Sequence, residues 1–160
     1  MGSLGELIPD LSAPNQHGQL HTLKSLLGSK GSIVYFYPKD NTPGCTLEAN
    51  DFQTLSKEFQ ERGFTVIGIS KDSVKSHAGF CSKHGLEFTL LSDQDGAICE
   101  AFGVWKEKTM CGKTSMGIVR STFIVDNTGT IIAVYSNVKT KEHAATVLAD
   151  LDRMSRAGTP

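Results

Sequence analysis

The chain has 160 residues, 39% of them hydrophobic and 21% charged, with a formal net charge of −1. A domain of this size buries roughly 70% of the surface its unfolded chain exposes, enough for a core without disulfide staples. Near-neutral, interleaved charge excludes the basic footprint of a nucleic-acid binder or a membrane-docking stretch, and the longest apolar runs, Ile33 to Tyr37 and Ile131 to Tyr135, are too short to span a bilayer.

Ile33 to Tyr37 is a β-branched and aromatic run that reads as a buried strand and stops at Pro38. Lys39 to Gly44 is dense in turn formers. A helix is predicted from there, with Thr42 as N-cap and Pro43 at its first position. At 100° per residue, Cys45, Glu48, Phe52, Leu55 and Phe59 share one narrow stripe, so Cys45 sits in the first turn and faces inward. Gly63 ends the helix, and Phe64 to Ile69 is the next strand. Strand, helix and strand at this spacing make a parallel, right-handed unit. Asp72 or Ser73 caps a second helix running to about Gly85, with Val74, Ala78 and Cys81 on its apolar stripe. Phe88 to Leu91 reads as another strand, and Asp95 caps a short helix carrying Ile98 and Phe102. Lys106 to Gly117 has no periodicity and reads as a surface loop. Ser121 to Val125 and Thr130 to Tyr135 flank Asp126-Asn127-Thr128-Gly129, a hairpin signal. A last helix runs from a Thr140 cap through Ala144, Val147, Leu148, Leu151 and Met154. No repeat or linker interrupts the chain, so residues 1–160 are expected to form a single domain. The element order predicts an α/β, thioredoxin-like fold, a central mixed β-sheet flanked by helices.

The four cysteines stand at 45, 81, 99 and 111, with no C-x-x-C pair. Met1 to Asp10 holds neither a basic segment nor a long apolar run, so no signal peptide is expected, and Glu6 stands where a myristoylation signal after Gly2 needs Ser or Thr. The expectation is free thiols in a reducing compartment, the cytoplasm. Cys45 follows the C-terminal end of a strand and opens a helix, where ligand chemistry gathers in open α/β sheets. Unpaired backbone N–H groups and the helix dipole there favour thiolate, the nucleophilic form. Most free cysteines are small buried hydrophobes, and placement alone leaves both readings open.

The residues around Cys45 carry more. Pro38-Lys39-Asp40-Asn41-Thr42-Pro43-Gly44-Cys45-Thr46, followed by Glu48-Ala49, resembles the active-site signature of the peroxiredoxins, and within them the bacterioferritin comigratory protein, or Q-type, branch. Gly103-Val104-Trp105, Gly112-Lys113 and Gly117 to Asp126 resemble the same branch, and the resemblance runs from about Leu11 to Met154. It implies a thiol-dependent peroxidase in which Cys45 attacks a peroxide O–O bond and becomes sulfenic acid. It implies that Arg120 stabilises the thiolate and the charge developing on the departing oxygen. Thr42 would offer its hydroxyl to a peroxide oxygen, Pro38 would close the pocket against water, and Glu48 would orient Arg120. Each residue also has a plainer reading. Thr42 is an ordinary N-cap, Pro38 a strand terminator, Glu48 a first-turn acid complementing the dipole, and Arg120 a solvated strand-edge residue.

Many members of the branch carry a second, resolving cysteine five residues after the first, but here that position is Asn50. The resemblance points instead to Cys81 in the second helix, giving an intramolecular Cys45–Cys81 disulfide recycled by thioredoxin or a similar dithiol protein. A single-cysteine peroxidase with a structural Cys81 is the alternative. Cys99 and Cys111 are expected to be bystanders. The chemistry calls for no metal, haem or flavin, and the branch implies a monomer. Three rivals remain on the sequence. A cysteine hydrolase needs a histidine base, and none of the five histidines has a recognisable setting. A zinc-binding structural protein could start from Cys81-x-x-His84 but lacks a second close pair. A disulfide reductase lacks its C-x-x-C.

Overall fold

The computed structural model describes residues 2–156. Met1 and residues 157–160, at the ends of the expected 1–160 domain, lie outside the described residues. After a short hairpin of β1 (Ser12–Pro14) and β2 (Leu20–Thr22), the chain enters β3 (Gly31–Phe36), which is buried along its whole length. A strand covered on both faces reads as a continuous apolar run, which is why Ile33 to Tyr37 shows no alternation. Its side chains nonetheless divide. Ile33, Tyr35 and Tyr37 join one core cluster, and Val34 and Phe36 the other.

The central sheet has the order β5-β4-β3-β8-β9. β4 (Phe64–Ser70) runs parallel to β3, and β5 (Thr89–Ser92) runs parallel to β4. On the other side β8 (Ser121–Asp126) and β9 (Ile131–Tyr135) are antiparallel, joined by the expected Asp126-to-Gly129 turn. The sheet is therefore mixed, with helices on both faces, as a thioredoxin-like fold requires. One core packs Phe52 and Phe59 of α1 (Pro43–Glu61), Phe80 of α2 (Val74–His84), and Ala144, Val147 and Leu151 of α4 (His143–Arg156) against Tyr35 and Leu90. The second core packs Ile98 of α3 (Ala97–Ala101) and Phe102 against Phe36 and Phe123. Among the described residues no helix is long and apolar enough to cross a membrane.

Four readings are corrected. Lys106 to Gly117 is a hairpin, β6 (Trp105–Met110) paired with β7 (Lys113–Ile118) in register from Trp105–Ile118 to Met110–Lys113. Its two-residue turn is Cys111-Gly112, with φ of 52° and 78°. Positive φ at both positions is normally signalled by Asn-Gly or Asp-Gly, and Cys-Gly conceals it. Helix α2 buries His77, Phe80 and Cys81, whereas Ala78 is exposed, because a buried histidine replaces an apolar residue in the stripe. Helix α4 begins at His143 rather than from a Thr140 cap. Glu142, at φ 62°, precedes it, and its carbonyl accepts from the Thr146 N–H at 3.1 Å. The start of α3 is satisfied chiefly by Asp93, whose carboxylate accepts from Ile98 N–H at 3.0 Å and Cys99 N–H at 2.8 Å, while Asp95 takes only the Ala97 N–H at 3.1 Å.

Candidate active site

The chain leaves β3 at the C-terminal edge of the sheet and turns through Asn41, at φ 63°, into α1. Pro43 opens the helix, where its missing N–H costs nothing. Thr42 is the N-cap residue by position, but its hydroxyl does not cap. It donates to the Lys39 carbonyl at 3.0 Å, bracing the loop, while its own carbonyl takes the Thr46 N–H at 2.9 Å. Cys45 lies in the first turn and is 1% exposed. The pairing of Phe36 with Ser121 sets the residue before β8, Arg120, at this same edge. The Arg120 carbonyl is tied to Val138 N–H at 2.9 Å. Its guanidinium donates from Nη2 to Cys45 Sγ at 3.3 Å and from Nη1 to Glu48 Oε1 at 2.7 Å. Glu48, one turn after Cys45, is buried on the same stripe.

The structure thus brings Cys45, Glu48 and Arg120 into contact, with Thr42 at the head of the same helix. Pro38 lies two residues past the end of β3 and is exposed, so it is no buried wall over the sulfur. Cys81 is buried in the same core cluster as Cys45, whereas Cys99 lies in the cluster on the opposite face of the sheet. Cys111 is exposed at the β6–β7 turn, and all four cysteines are free. A cavity of about 230 Å³ lined by Lys30, Arg62, Phe64, Ile132, Leu151 and Met154 opens at the other end of the strands. A substrate the size of a peroxide does not need it.

Burial and charge set the protonation of the groups around the sulfur. Burial favours the acid form of Glu48 and Arg120 favours the carboxylate. Burial dominates, and the carboxyl is pushed up to about 7. Its second oxygen, Oε2, is buried with no hydrogen-bond partner among the described residues, which adds to the cost of ionising it. At Arg120 burial opposes the charge, but Glu48 and Cys45 outweigh it and hold the guanidinium above its ordinary value. Burial, then the charge of Asp40, pushes the Cys81 thiol up to about 11. Burial and Asp93 push Cys99 higher still.

The Glu48 shift has a measurable consequence for stability. The folded protein holds this proton more tightly than the unfolded chain, where the group titrates near 4.5. Glu48 therefore contributes stability that is full below about 4.5 and lost as pH rises through about 7. Glu48→Gln is expected to remove that slope. Urea unfolding across this range should show the wild-type advantage over the variant shrinking as pH rises. A constant difference would mean that Glu48 stays ionised throughout.

Two polar clusters have no signal in the sequence pattern. His143 Nε2 lies 2.8 Å from Thr122 Oγ1, and burial followed by the charge of Arg120 pushes this histidine down to about 4, so it is neutral at ordinary pH. Beside the loop, buried Tyr37, Asp40 and His77 and half-buried Asp72 and Ser76 form a hydrogen-bonded network. Asp40 was hidden in a run of turn formers, and His77 in a helix scored by apolar residues. Among the described residues, three side-chain donors that could share a cation converge only at Asp40, Asp72 and His77, and none gather around Cys81 and His84.

Comparison with known proteins agrees with this geometry. The model of the AhpC/TSA family matches residues 4–134. Peroxiredoxin Bcp of Bacillus subtilis is 45% identical over 152 residues, covering 95% of this chain and 96% of its own. Peroxiredoxin Bcp of Xanthomonas campestris is 51% identical over 119 residues, 74% of each chain. A solved structure of the Xanthomonas campestris bacterioferritin comigratory protein, described for its alkyl peroxide reduction activity, superposes with a TM-score of 0.88 at 43% identity, over 96% of this chain and 99% of that one. A cysteine variant of Xylella fastidiosa PrxQ superposes with a TM-score of 0.89 at 38% identity, over 96% and 97% of the two chains. A thioredoxin-like sheet with a cysteine at a helix N-terminus, in a chain with these relatives, defines a thiol-dependent peroxidase, an enzyme that reduces peroxides at the expense of a thiol. The chain belongs to the AhpC/TSA family, and within it to the Bcp or Q-type peroxiredoxins.

Proposed function

We propose that Cys45 is the peroxidatic nucleophile, Arg120, Thr42 and Glu48 its supporting groups, and Cys81 the resolving cysteine. The observation that carries this reading is the Arg120 guanidinium, which touches Cys45 Sγ and Glu48 at once. A fixed planar cation beside the sulfur favours the anionic nucleophile and the oxyanion it displaces. The thiolate attacks one peroxide oxygen, the O–O bond breaks, and the sulfur becomes sulfenic acid while the other oxygen leaves as alkoxide or hydroxide and takes up a proton. Thr42 stands at the helix head, where its hydroxyl can turn from Lys39 to the peroxide. The substrates are hydrogen peroxide and small organic hydroperoxides, since the Xanthomonas campestris relative is described as an alkyl peroxide reductase.

Cys81 sulfur then attacks the sulfenic sulfur, an S–S bond forms, and water leaves. Sharing a core cluster with Cys45 makes Cys81 the better candidate than Cys99, which lies across the sheet. A buried thiol pushed up to about 11 does not attack in place, so residues 43–50 and 74–85 must loosen first. The disulfide is recycled by thioredoxin or a similar dithiol protein. The chain acts as a single domain and a monomer in the cytoplasm, a compartment that suits four free thiols.

One equivalent of peroxide followed by peptide mass mapping tests the pairing, with a Cys45–Cys81 link as the expected product. Cys81→Ser is expected to keep one turnover and lose thioredoxin-supported cycling. Undiminished cycling would leave Cys81 a packing residue and make this a single-cysteine peroxidase.

A further inference from the structure

We propose that Asp40 and His77 form a buried clamp that holds the active-site loop against α2, and that opening this clamp is what frees Cys81 to reach Cys45. The proposal rests on the Cys45–Cys81 reading above.

The His77 and Asp40 side chains are 0% and 1% exposed, and His77 Nδ1 lies 2.7 Å from Asp40 Oδ2. Asp40 also accepts from the Tyr37 hydroxyl at 2.6 Å and the Ser76 hydroxyl at 2.8 Å, so both its oxygens act as acceptors, the pattern of an ionised carboxylate. On its far side His77 Nε2 faces the Leu91 carbonyl at 3.0 Å, which can only accept. Both ring nitrogens therefore face acceptors, and Asp40 and His77 form a buried, hydrogen-bonded pair. The Asp40 backbone is held as well, its N–H donating to Asp72 Oδ2 at 2.8 Å. Asp72 is fixed in turn by the Ser70 hydroxyl at 2.7 Å and, through its carbonyl, by the Ser92 hydroxyl at 2.6 Å. A cation at Asp40, Asp72 and His77 would have to displace these bonds, so the cluster is built to position rather than to bind.

Its location gives it a task. Asp40 belongs to the loop that sets Thr42 and leads to Cys45, and His77 and Ser76 belong to α2. His77 and Cys81 stand at i and i+4, on one face of α2. The clamp thus ties the loop just before residues 43–50 to α2, and both must loosen before the disulfide forms. A buried network of this kind holds as a unit, since removing one partner strands another, so it opens in an all-or-none way. Burial first, and then the same carboxylate, oppose ionisation of Cys81, so loosening α2 lessens the larger of the two.

The test separates the two chemical steps. Ser76→Ala removes one donor to Asp40 and leaves the His77 contact. It should raise hydrogen exchange at residues 37–42 and 74–81 together and accelerate disulfide formation about tenfold, the effect on an opening constant of one lost hydrogen bond to a charged group. Sulfenic acid formation, read in a Cys81→Ser background, should be unchanged. His77→Gln should act in the same direction and further. If that variant shows no cooperative melt, Ser76→Ala alone decides. A purely structural cluster would lower the melting point without speeding any step. Disulfide formation at the wild-type rate, or faster exchange in only one segment, would overturn the clamp. Absence of the Cys45–Cys81 peptide in the unmodified protein would instead overturn the underlying pairing, and the clamp with it.

Discussion

Cys45→Ser should abolish peroxide consumption while leaving the protein folded. The change replaces one buried atom by another that can still accept the Arg120 Nη2 bond now made to Sγ at 3.3 Å. Packing around Tyr35, Ala49 and Phe52 is kept, and so is the Arg120–Glu48 contact. The chemistry does not survive. Cleaving an O–O bond takes two electrons from the attacking atom, and sulfur gives them up to become sulfenic acid. A serine hydroxyl stays protonated near neutrality and has no such oxidation state. The other thiols cannot stand in, because Cys81 and Cys99 are buried and held as thiols, and Cys111 is exposed on the β6–β7 turn with no guanidinium bonded to it among the described residues. Loss of peroxide in a stopped-flow trace, beside a thermal melt, checks both halves. Residual consumption at a substantial fraction of the wild-type rate would place the nucleophile elsewhere.

How much of this was legible depended on the range of the interaction. The stripe of α1 could be read from periodicity, because Cys45, Glu48, Phe52 and Phe59 are set by one local helix and all four are buried. The helix start was readable from Thr42-Pro43, though not the direction of the Thr42 hydroxyl, which follows the loop rather than the cap. Periodicity is silent on Arg120. Its contact with Glu48 spans 72 residues and is created by strand pairing, so only the resemblance to a family pointed there. The β6–β7 hairpin was missed because Cys111 takes a backbone conformation usually given to Asn or Asp. Asp40 and His77 were missed for a deeper reason. A polar residue is buried only when partners arrive from other elements, here α2 for Asp40 and β5 for His77, and no local pattern records that. The features hardest to read are those that tie the site to the rest of the fold.

Arg120→Leu should lower the rate of sulfenic acid formation by about 10²–10³-fold, the usual cost of losing one preorganised donor to developing charge. Leucine is close in bulk to the aliphatic part of arginine but offers neither the bond to Sγ nor the charge. Arg120→Lys should fall between, since an ammonium is a point charge and cannot reach Sγ and Glu48 Oε1 in the fixed fork that the guanidinium provides. Stranding a buried carboxylate is the obvious complication. Glu48 limits it, because burial already pushes that carboxyl up to about 7, and without Arg120 it keeps its proton rather than remaining as an unpaired charge. The variant should therefore fold. A double variant, Arg120→Leu with Glu48→Gln, decides how the arginine acts. If Arg120 served only to neutralise Glu48, removing both would restore the rate. If it acts on the sulfur and the departing oxygen directly, the double variant stays as slow as Arg120→Leu. The 3.3 Å contact to Sγ argues for the second result.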